Sequence, residues 1–277
     1  GYNSLYLGTA DTYDIKEEPY FGYMRGKYTQ EEIKEIDAYA KEHGIDLRPA
    51  IQTLGHLPFL RKYSGYDEMY DFLNVLYIDN PKTYVFIENM FKAMAQSYSS
   101  RIINIGMDET YELGAGKFLQ KNGYVPHIKL MIIHLKRVAE IAAKYGFVCE
   151  VWSDMFFKQL SDIEVEKDSD ELKKLKGEIP DNVRLIHWTY RKFSKEVFNN
   201  AFAKHKLITD KIGFAGGAYK WIGFAPDNLF SIEASNNVID ACKESNIDNV
   251  FFTLWADNGG ESSLFSVMPA LYYIAEY

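Results

Sequence analysis

Cysteine is scarce in this chain: two in 277 residues, Cys149 and Cys242, each in apolar surroundings. No disulfide framework can be built from them, and both read as inert buried thiols. Long hydrophobic runs are absent too. No apolar stretch approaches the roughly 20 residues that cross a bilayer, and the N-terminus has no basic-then-apolar leader pattern. Basic residues are outnumbered, 31 Lys and Arg against 39 Asp and Glu, for a formal charge of -8. That balance argues against a nucleic-acid-binding face and suits a neutral ligand. His43, His127, His134, His187 and His205 show no metal-ligand spacing such as His-Glu-x-x-His, so neither metal nor cofactor is expected. Gly216-Gly217 and Gly259-Gly260 lack the Gly-x-Gly-x-x-Gly spacing of a phosphate cradle and read as loop hinges, and the acid-rich run Asp162 to Glu178 reads as a solvated loop and helix.

Aromatic residues, by contrast, are plentiful: 21 Tyr, 18 Phe and 4 Trp make 16% of the chain. Most such rings belong in a core, but a surplus of Tyr and Trp also suits a pocket that stacks on sugar faces and hydrogen-bonds hydroxyls. A hydrophobic content of 47% lets 277 residues bury one barrel-sized domain spanning residues 1–277.

Short apolar or β-branched runs alternate with longer amphipathic ones. Strands are predicted at Ser4 to Leu7, Asp46 to Ile51, Arg101 to Ile105, Phe147 to Val151, Val183 to His187, Lys211 to Phe214 and Asn249 to Leu254. The capping box Thr29-Gln30-Glu31-Glu32 opens a helix with Ile33, Ile36, Tyr39 and Ala40 at helical spacing, ending near Gly44. Pro81 opens a second, with Val85, Phe86, Met90, Phe91 and Met94 on one face. Further helices are predicted at Ile128 to Tyr145, Ser194 to Lys206, Ala225 to Ser245 and after Ser262. Strict strand–helix alternation implies a parallel sheet, and about seven units in one domain point to a (β/α)8 TIM barrel. Because Gly1-Tyr2-Asn3 leads straight into a strand, the first strand of that barrel is expected upstream of this sequence.

Polar placement then turns the fold into a site. Asp11, His56, Asp108, Glu109, Trp152, Trp188, Tyr219, Trp255 and Asp257 all fall at or just after the C-terminal ends of predicted strands, the face on which such barrels build their active sites. Among them Asp108-Glu109, leaving the apolar run Ile102 to Ile105, is the most pointed feature. Adjacent carboxylates leaving a buried strand repel each other and cost solvation, which a chain rarely tolerates without a use.

These residues resemble the family 20 glycoside hydrolases, the β-N-acetylhexosaminidases. Asn104-Ile105-Gly106-Met107-Asp108-Glu109 matches the His-x-Gly-Gly-Asp-Glu signature, with Asn104 in place of the histidine and Met107 in place of a glycine. The stretch from Tyr28-Thr29-Gln30-Glu31 to Gly55-His56 is similar to the segment ending in Pro-Gly-His, with Leu54 at the proline. Trp152, Trp188 and Leu254-Trp255-Ala256-Asp257 are similar to the wall of the sugar pocket, with Asp257 where many members carry Glu, and Tyr219 is similar to the tyrosine that holds the acetamide. The family's sugar-binding arginine belongs to the first strand.

The resemblance implies a retaining exo-β-N-acetylhexosaminidase without an enzyme nucleophile, in which the substrate's acetamido oxygen attacks C1 to give an oxazolinium intermediate. Glu109 would be the acid and then the base, held protonated by burial and by the charge of Asp108; Asp108 would orient the acetamide N–H; Tyr219 would donate to the acetamide oxygen. His56 is expected to hydrogen-bond Glu109, with Asp11 behind it fixing the imidazole tautomer. Trp152, Trp188 and Trp255 would cage the acetamido methyl, Trp221 would stack on the next sugar, and Asp257 would bind outer hydroxyls. The implied partners are glycans ending in GlcNAc or GalNAc, with no nucleic acid and no membrane span. Oligomeric state and compartment carry no residue signature. Two alternatives stay open: an N-acetyl-sugar-binding barrel that has lost catalysis, and a barrel glycosidase of another family.

Overall fold

The computed structural model describes residues 1–158, 169–257 and 262–277. Gly259-Gly260 and the 162–168 part of the acid-rich run lie outside the described residues. The chain divides into two compact units, one of Asn3–Glu171 with Gly177–Arg184, the other of Gly1–Tyr2, Leu172–Lys176 and Leu185–Tyr277.

The elements follow in the order β1 (Ser4–Gly8), α1 (Gln30–Glu42), β2 (Asp46–Ala50), β3 (Tyr70–Phe72), β4 (Val75–Leu76), α2 (Pro81–Ser97), β5 (Ile102–Asn104), α3 (Lys117–Asn122), α4 (His127–Lys144), β6 (Val148–Trp152) and α5 (Asp154–Lys158). Then come α6 (Ser169–Lys174), β7 (Val183–Trp188), α7 (Lys195–Lys206), β8 (Ile212–Gly217), α8 (Asn228–Glu244), β9 (Val250–Thr253) and α9 (Met268–Glu276). One sheet of seven strands runs β1-β2-β5-β6-β7-β8-β9, so sheet order repeats chain order, and β3 with β4 forms a separate antiparallel hairpin. Parallel neighbours joined through helices, each next in sequence, are the pattern of a (β/α)8 barrel, here with seven strands. All seven predicted strands are present, each within a few residues of its expected limits.

Local chemistry explains the helix ends. Thr29 caps α1: its hydroxyl accepts the Glu32 N–H at 3.1 Å while Glu32 Oε2 accepts the Thr29 N–H at 2.7 Å. Asn80 caps α2 by accepting from Lys82 N, and Asp227 caps α8 by accepting from Phe230 N at 2.9 Å. The last cap starts α8 at Asn228 rather than Ala225, because Pro226 biases Ala225 away from the helical region. Two inward assignments change. Tyr39 is exposed and lies against His43, and Val85 faces solvent while Tyr84, Phe86, Ile87, Met90, Phe91 and Met94 are buried. Both residues sit just off the buried stripe of their helix, so period alone misassigned them.

In the C-terminal unit, Phe198 and Phe202 of α7, Phe214 of β8 and Val238, Ala241 and Cys242 of α8 share one apolar core. Cys149 and Cys242 are free and buried, and burial pushes both thiols up to about 12. Gly216-Gly217, expected as a hinge, lies inside β8, where a Cβ on Gly216 would approach Phe252 to 2.5 Å and one on Gly217 would approach Trp221 to 2.5 Å. Close aromatic packing, not hinge motion, requires these glycines. Among the described residues no helix is long and apolar enough to cross a membrane.

Candidate active site

The Asp-Glu pair is presented by a strained turn. After β5, Gly106, Met107 and Glu109 take φ of 71°, 74° and 50°, a left-handed path that costs a non-glycine residue about 1–2 kcal/mol each. Neighbouring groups hold this path. Asn104 Oδ1 accepts the Gly106 N–H at 2.9 Å, Met107 is fully buried, and Asp154 Oδ2 accepts the Glu109 N–H at 3.2 Å. Where the signature has glycine at position 107, the burial of Met107 offsets the backbone cost. Gly106 has no such freedom: a Cβ there would lie 1.9 Å from Gln52 Oε1.

His56, itself at φ 54°, comes from the loop after β2. A Cβ on Gly55 would approach Thr110 Cγ2 to 2.7 Å, so glycine lets the loops after β2 and β5 meet. His56 Nε2 thereby lies 3.3 Å from Asp108 Oδ2 and 3.7 Å from Glu109 Oε2. Its pKa is raised, chiefly by the hydrogen bond to Asp108 acting against burial, with the charges of Asp108, Glu109 and Asp154 adding to it. Gln52 Nε2 donates to the other Asp108 oxygen, Oδ1, at 3.5 Å. Asp108 is thus engaged at both oxygens and its side chain is 19% exposed, while that of Glu109 is 45% exposed. The expected burial of Glu109 is therefore not found, and His56 lies beside its carboxylate.

In the same unit Glu150 is buried, accepting from Tyr6 Oη at 2.6 Å and from Arg184 Nη1 at 3.1 Å, with Arg48 donating to Tyr6 Oη at 2.7 Å. The expected place of Asp11 behind His56 is not the one it takes. Asp11, whose side chain is 1% exposed, pairs with Arg25 at 2.9 Å. The acids acting on His56 are Asp108, Glu109 and Asp154 rather than Asp11. Trp152 is buried at the end of β6, its backbone N–H donating to Gly106 O at 3.2 Å.

The C-terminal unit carries an aromatic group built around Tyr190. Tyr190 lies 5.2 Å from the Trp188 ring and 5.1 Å from the Trp221 ring, its hydroxyl accepts from Trp255 Nε1 at 2.6 Å, and its carbonyl accepts the Tyr219 hydroxyl. Tyr219 stacks on Trp221 with ring centres 4.4 Å apart. Burial raises the Tyr219 pKa, offset in part by Arg191. Trp221 is 8% exposed, so it supports Tyr219 and has no open face for a further sugar. Trp255 is half-open and Asp257 is exposed. Sequence reasoning missed Gln52, Asp154 and Tyr190. Each lay at or just beyond a strand end, at Ile51-Gln52, Trp152-Ser153-Asp154 and Trp188-Thr189-Tyr190, and that position was the available signal.

The model of glycosyl hydrolase family 20, catalytic domain, matches residues 7–211. The chain belongs to glycosyl hydrolase family 20. It is 27% identical over 187 residues to hexosaminidase D of Bos taurus, covering 62% of this chain and 51% of that protein. To hexosaminidase D of Homo sapiens it is 26% identical over 205 residues, covering 69% and 39%. Among solved structures, β-N-acetylhexosaminidase from Bacteroides fragilis NCTC 9343 superposes with a TM-score of 0.75 at 19% identity, covering 99% of this chain and 59% of that one. This family 20 chain thus spans about half or less of the length of the curated relatives. The barrel likeness is one of fold, and the family match includes the turn that carries Asp108 and Glu109.

Proposed function

We propose that this family 20 chain is an exo-acting β-N-acetylhexosaminidase that releases terminal β-linked GlcNAc or GalNAc by retaining, substrate-assisted catalysis. The observation that carries the reading is the unequal treatment of two adjacent carboxylates. Asp108 is held at both oxygens by Gln52 and His56, whereas Glu109 is 45% exposed with His56 Nε2 3.7 Å from its Oε2. A fixed carboxylate suits orienting the acetamide N–H and balancing the positive charge that develops on the forming oxazolinium ring. An accessible one suits delivering a proton to the glycosidic oxygen and then drawing one from water.

The substrate's acetamide oxygen attacks C1 as the glycosidic bond breaks, and Glu109 gives its proton to the departing oxygen. Water then opens the oxazolinium ring at C1 while Glu109 takes the proton back. Tyr219 would turn its hydroxyl from the Tyr190 carbonyl to the acetamide oxygen, exchanging one acceptor for another. Trp188 and Trp255 would pack on the sugar, and Asp257 would bind its outer hydroxyls. Glycans ending in N-acetylhexosamine are the proposed substrates; the amide makes them distinct from plain hexosides, which lack the internal nucleophile. Comparing hydrolysis of nitrophenyl β-GlcNAc with nitrophenyl β-glucoside tests this directly. Turnover confined to the N-acetyl substrate, with competitive inhibition by GlcNAc-thiazoline, is expected; equal turnover of the two overturns the mechanism.

A further inference from the structure

Gln52 touches no substrate in the reading above, yet its position is tightly specified. Its amide lies against the turn that carries the pair: a Cβ on Gly106 would sit 1.9 Å from Gln52 Oε1 and 3.1 Å from Nε2, so the left-handed glycine at 106 leaves the space that the glutamine fills. Gln52 Nε2 donates to Asp108 Oδ1 at 3.5 Å, and Oε1 is buried with no hydrogen-bond partner among the described residues. Leaving an amide carbonyl buried and unsatisfied is costly, and a purely packing side chain such as methionine would avoid that cost. The groups around Asp108 are His56 from the loop after β2, Glu109 beside it and, through the Glu109 N–H, Asp154 of α5. Three carboxylates and one histidine make a site in which a further acid would repel. A neutral amide donor gives Asp108 Oδ1 a hydrogen bond without adding charge.

We propose that Gln52 is a positioning residue: acting through Asp108, its amide N–H fixes the rotation of the carboxylate and keeps it an acceptor toward the acetamide N–H. Gln52 and His56, four residues apart on one loop, then hold opposite oxygens of the same carboxylate, leaving its free lone pairs to a single direction. This inference rests on the proposed hexosaminidase reading, and the test separates the two.

Gln52→Met keeps the shape and removes the donor; Gln52→Glu keeps the shape and adds charge. With nitrophenyl β-GlcNAc, Gln52→Met is expected to lower kcat about tenfold, equal to ~1.4 kcal/mol, with KM changed less than threefold. The acid limb of the kcat/KM profile should move to higher pH, and GlcNAc-thiazoline should bind more weakly by a similar factor. Gln52→Glu should lower kcat further and move the same limb in the same direction. A merely structural glutamine would change melting temperature without moving the limb. Should wild type fail to hydrolyse any β-GlcNAc substrate, the hexosaminidase reading falls and this inference with it. If wild type turns over while either folded variant keeps its kcat within twofold and its acid limb unmoved, Gln52 is packing alone and only this inference is overturned.

Discussion

Replacing each carboxylate by its amide should separate the two roles. In Asp108→Asn the new side chain keeps one oxygen and gains an NH2 where Asp108 presents acceptors on both sides, to His56 Nε2 at 3.3 Å and to Gln52 Nε2 at 3.5 Å. Since the Gln52 group is a donor and the raised pKa of His56 favours its donor form, the NH2 must oppose one of them. Losing a charge-assisted bond is worth about 1.5–3 kcal/mol and a donor left unpaired about 1–3 kcal/mol. Because the charge balance needed in the transition state is also removed, a loss on the order of 10²–10⁴ in kcat follows. The leaving group has no part in that sum, so activated and unactivated β-GlcNAc substrates should suffer alike.

Glu109→Gln differs. It keeps the open position but has no proton to give, so a substrate with a poor leaving group should lose about 10²–10⁴ in rate. A dinitrophenyl leaving group departs without protonation, so its loss should be much smaller and set by the water step. Added azide, which attacks without a base, should restore part of that step. Steady-state kcat for methyl β-GlcNAc, whose alcohol must be protonated to leave, and for dinitrophenyl β-GlcNAc in both variants decides the matter. Equal losses for the two substrates in Glu109→Gln, or wild-type rates on the unactivated substrate in either variant, would refute the assignment.

Two further outcomes follow from the same geometry. Gly106→Ala should destabilise the chain by about 2 kcal/mol or more in denaturant melts, from left-handed strain of about 1–2 kcal/mol plus displacement of Gln52, and should lower kcat; Gly65→Ala, where a Cβ meets nothing within 4 Å, is the control and should stay within about 0.5 kcal/mol of wild type. His134, His187 and His205 are buried, and burial lowers their pKa to about 4, about 4 and about 3; groups so depressed lend stability that is fully present above pH 6.5 and lost as pH falls toward 4, on the order of 1 kcal/mol per pH unit for each, and a flat unfolding free energy between pH 7 and 4.5 would contradict this.

How much of this was legible in the sequence depended on range. The strands were readable because each is a short apolar run bounded by turn residues, and α1 because Thr29 and Glu32 signal its cap within four residues. The hairpin of β3 and β4 was not, since three- and two-residue strands carry too few side chains for any period to show. Tyr39 and Val85 illustrate the same limit from the other side: a helix stripe has edges that spacing alone does not locate.

At the candidate site, position was legible and partnership was not. Every predicted site residue lies at or beyond a strand end, since a barrel's chain order fixes which face its loops share. Which carboxylate His56 answers was another matter. It depends on the left-handed turn at 106, 107 and 109, on a glycine at 55 that admits Thr110, and on Asn104 capping Gly106, none of which is a periodic signal. Asp11, expected behind His56, instead meets Arg25, because Gly22 brings the 22–25 loop against it: a Cβ on Gly22 would lie 2.2 Å from the Asp11 carbonyl oxygen. The consequence reaches the chemistry. With Asp11 engaged elsewhere, the hydrogen bond from Asp108 is the chief cause of the raised His56 pKa, so Asp108→Asn should let the imidazole titrate at lower pH, read by NMR of the ring, as well as disturb the orientation of the acetamide.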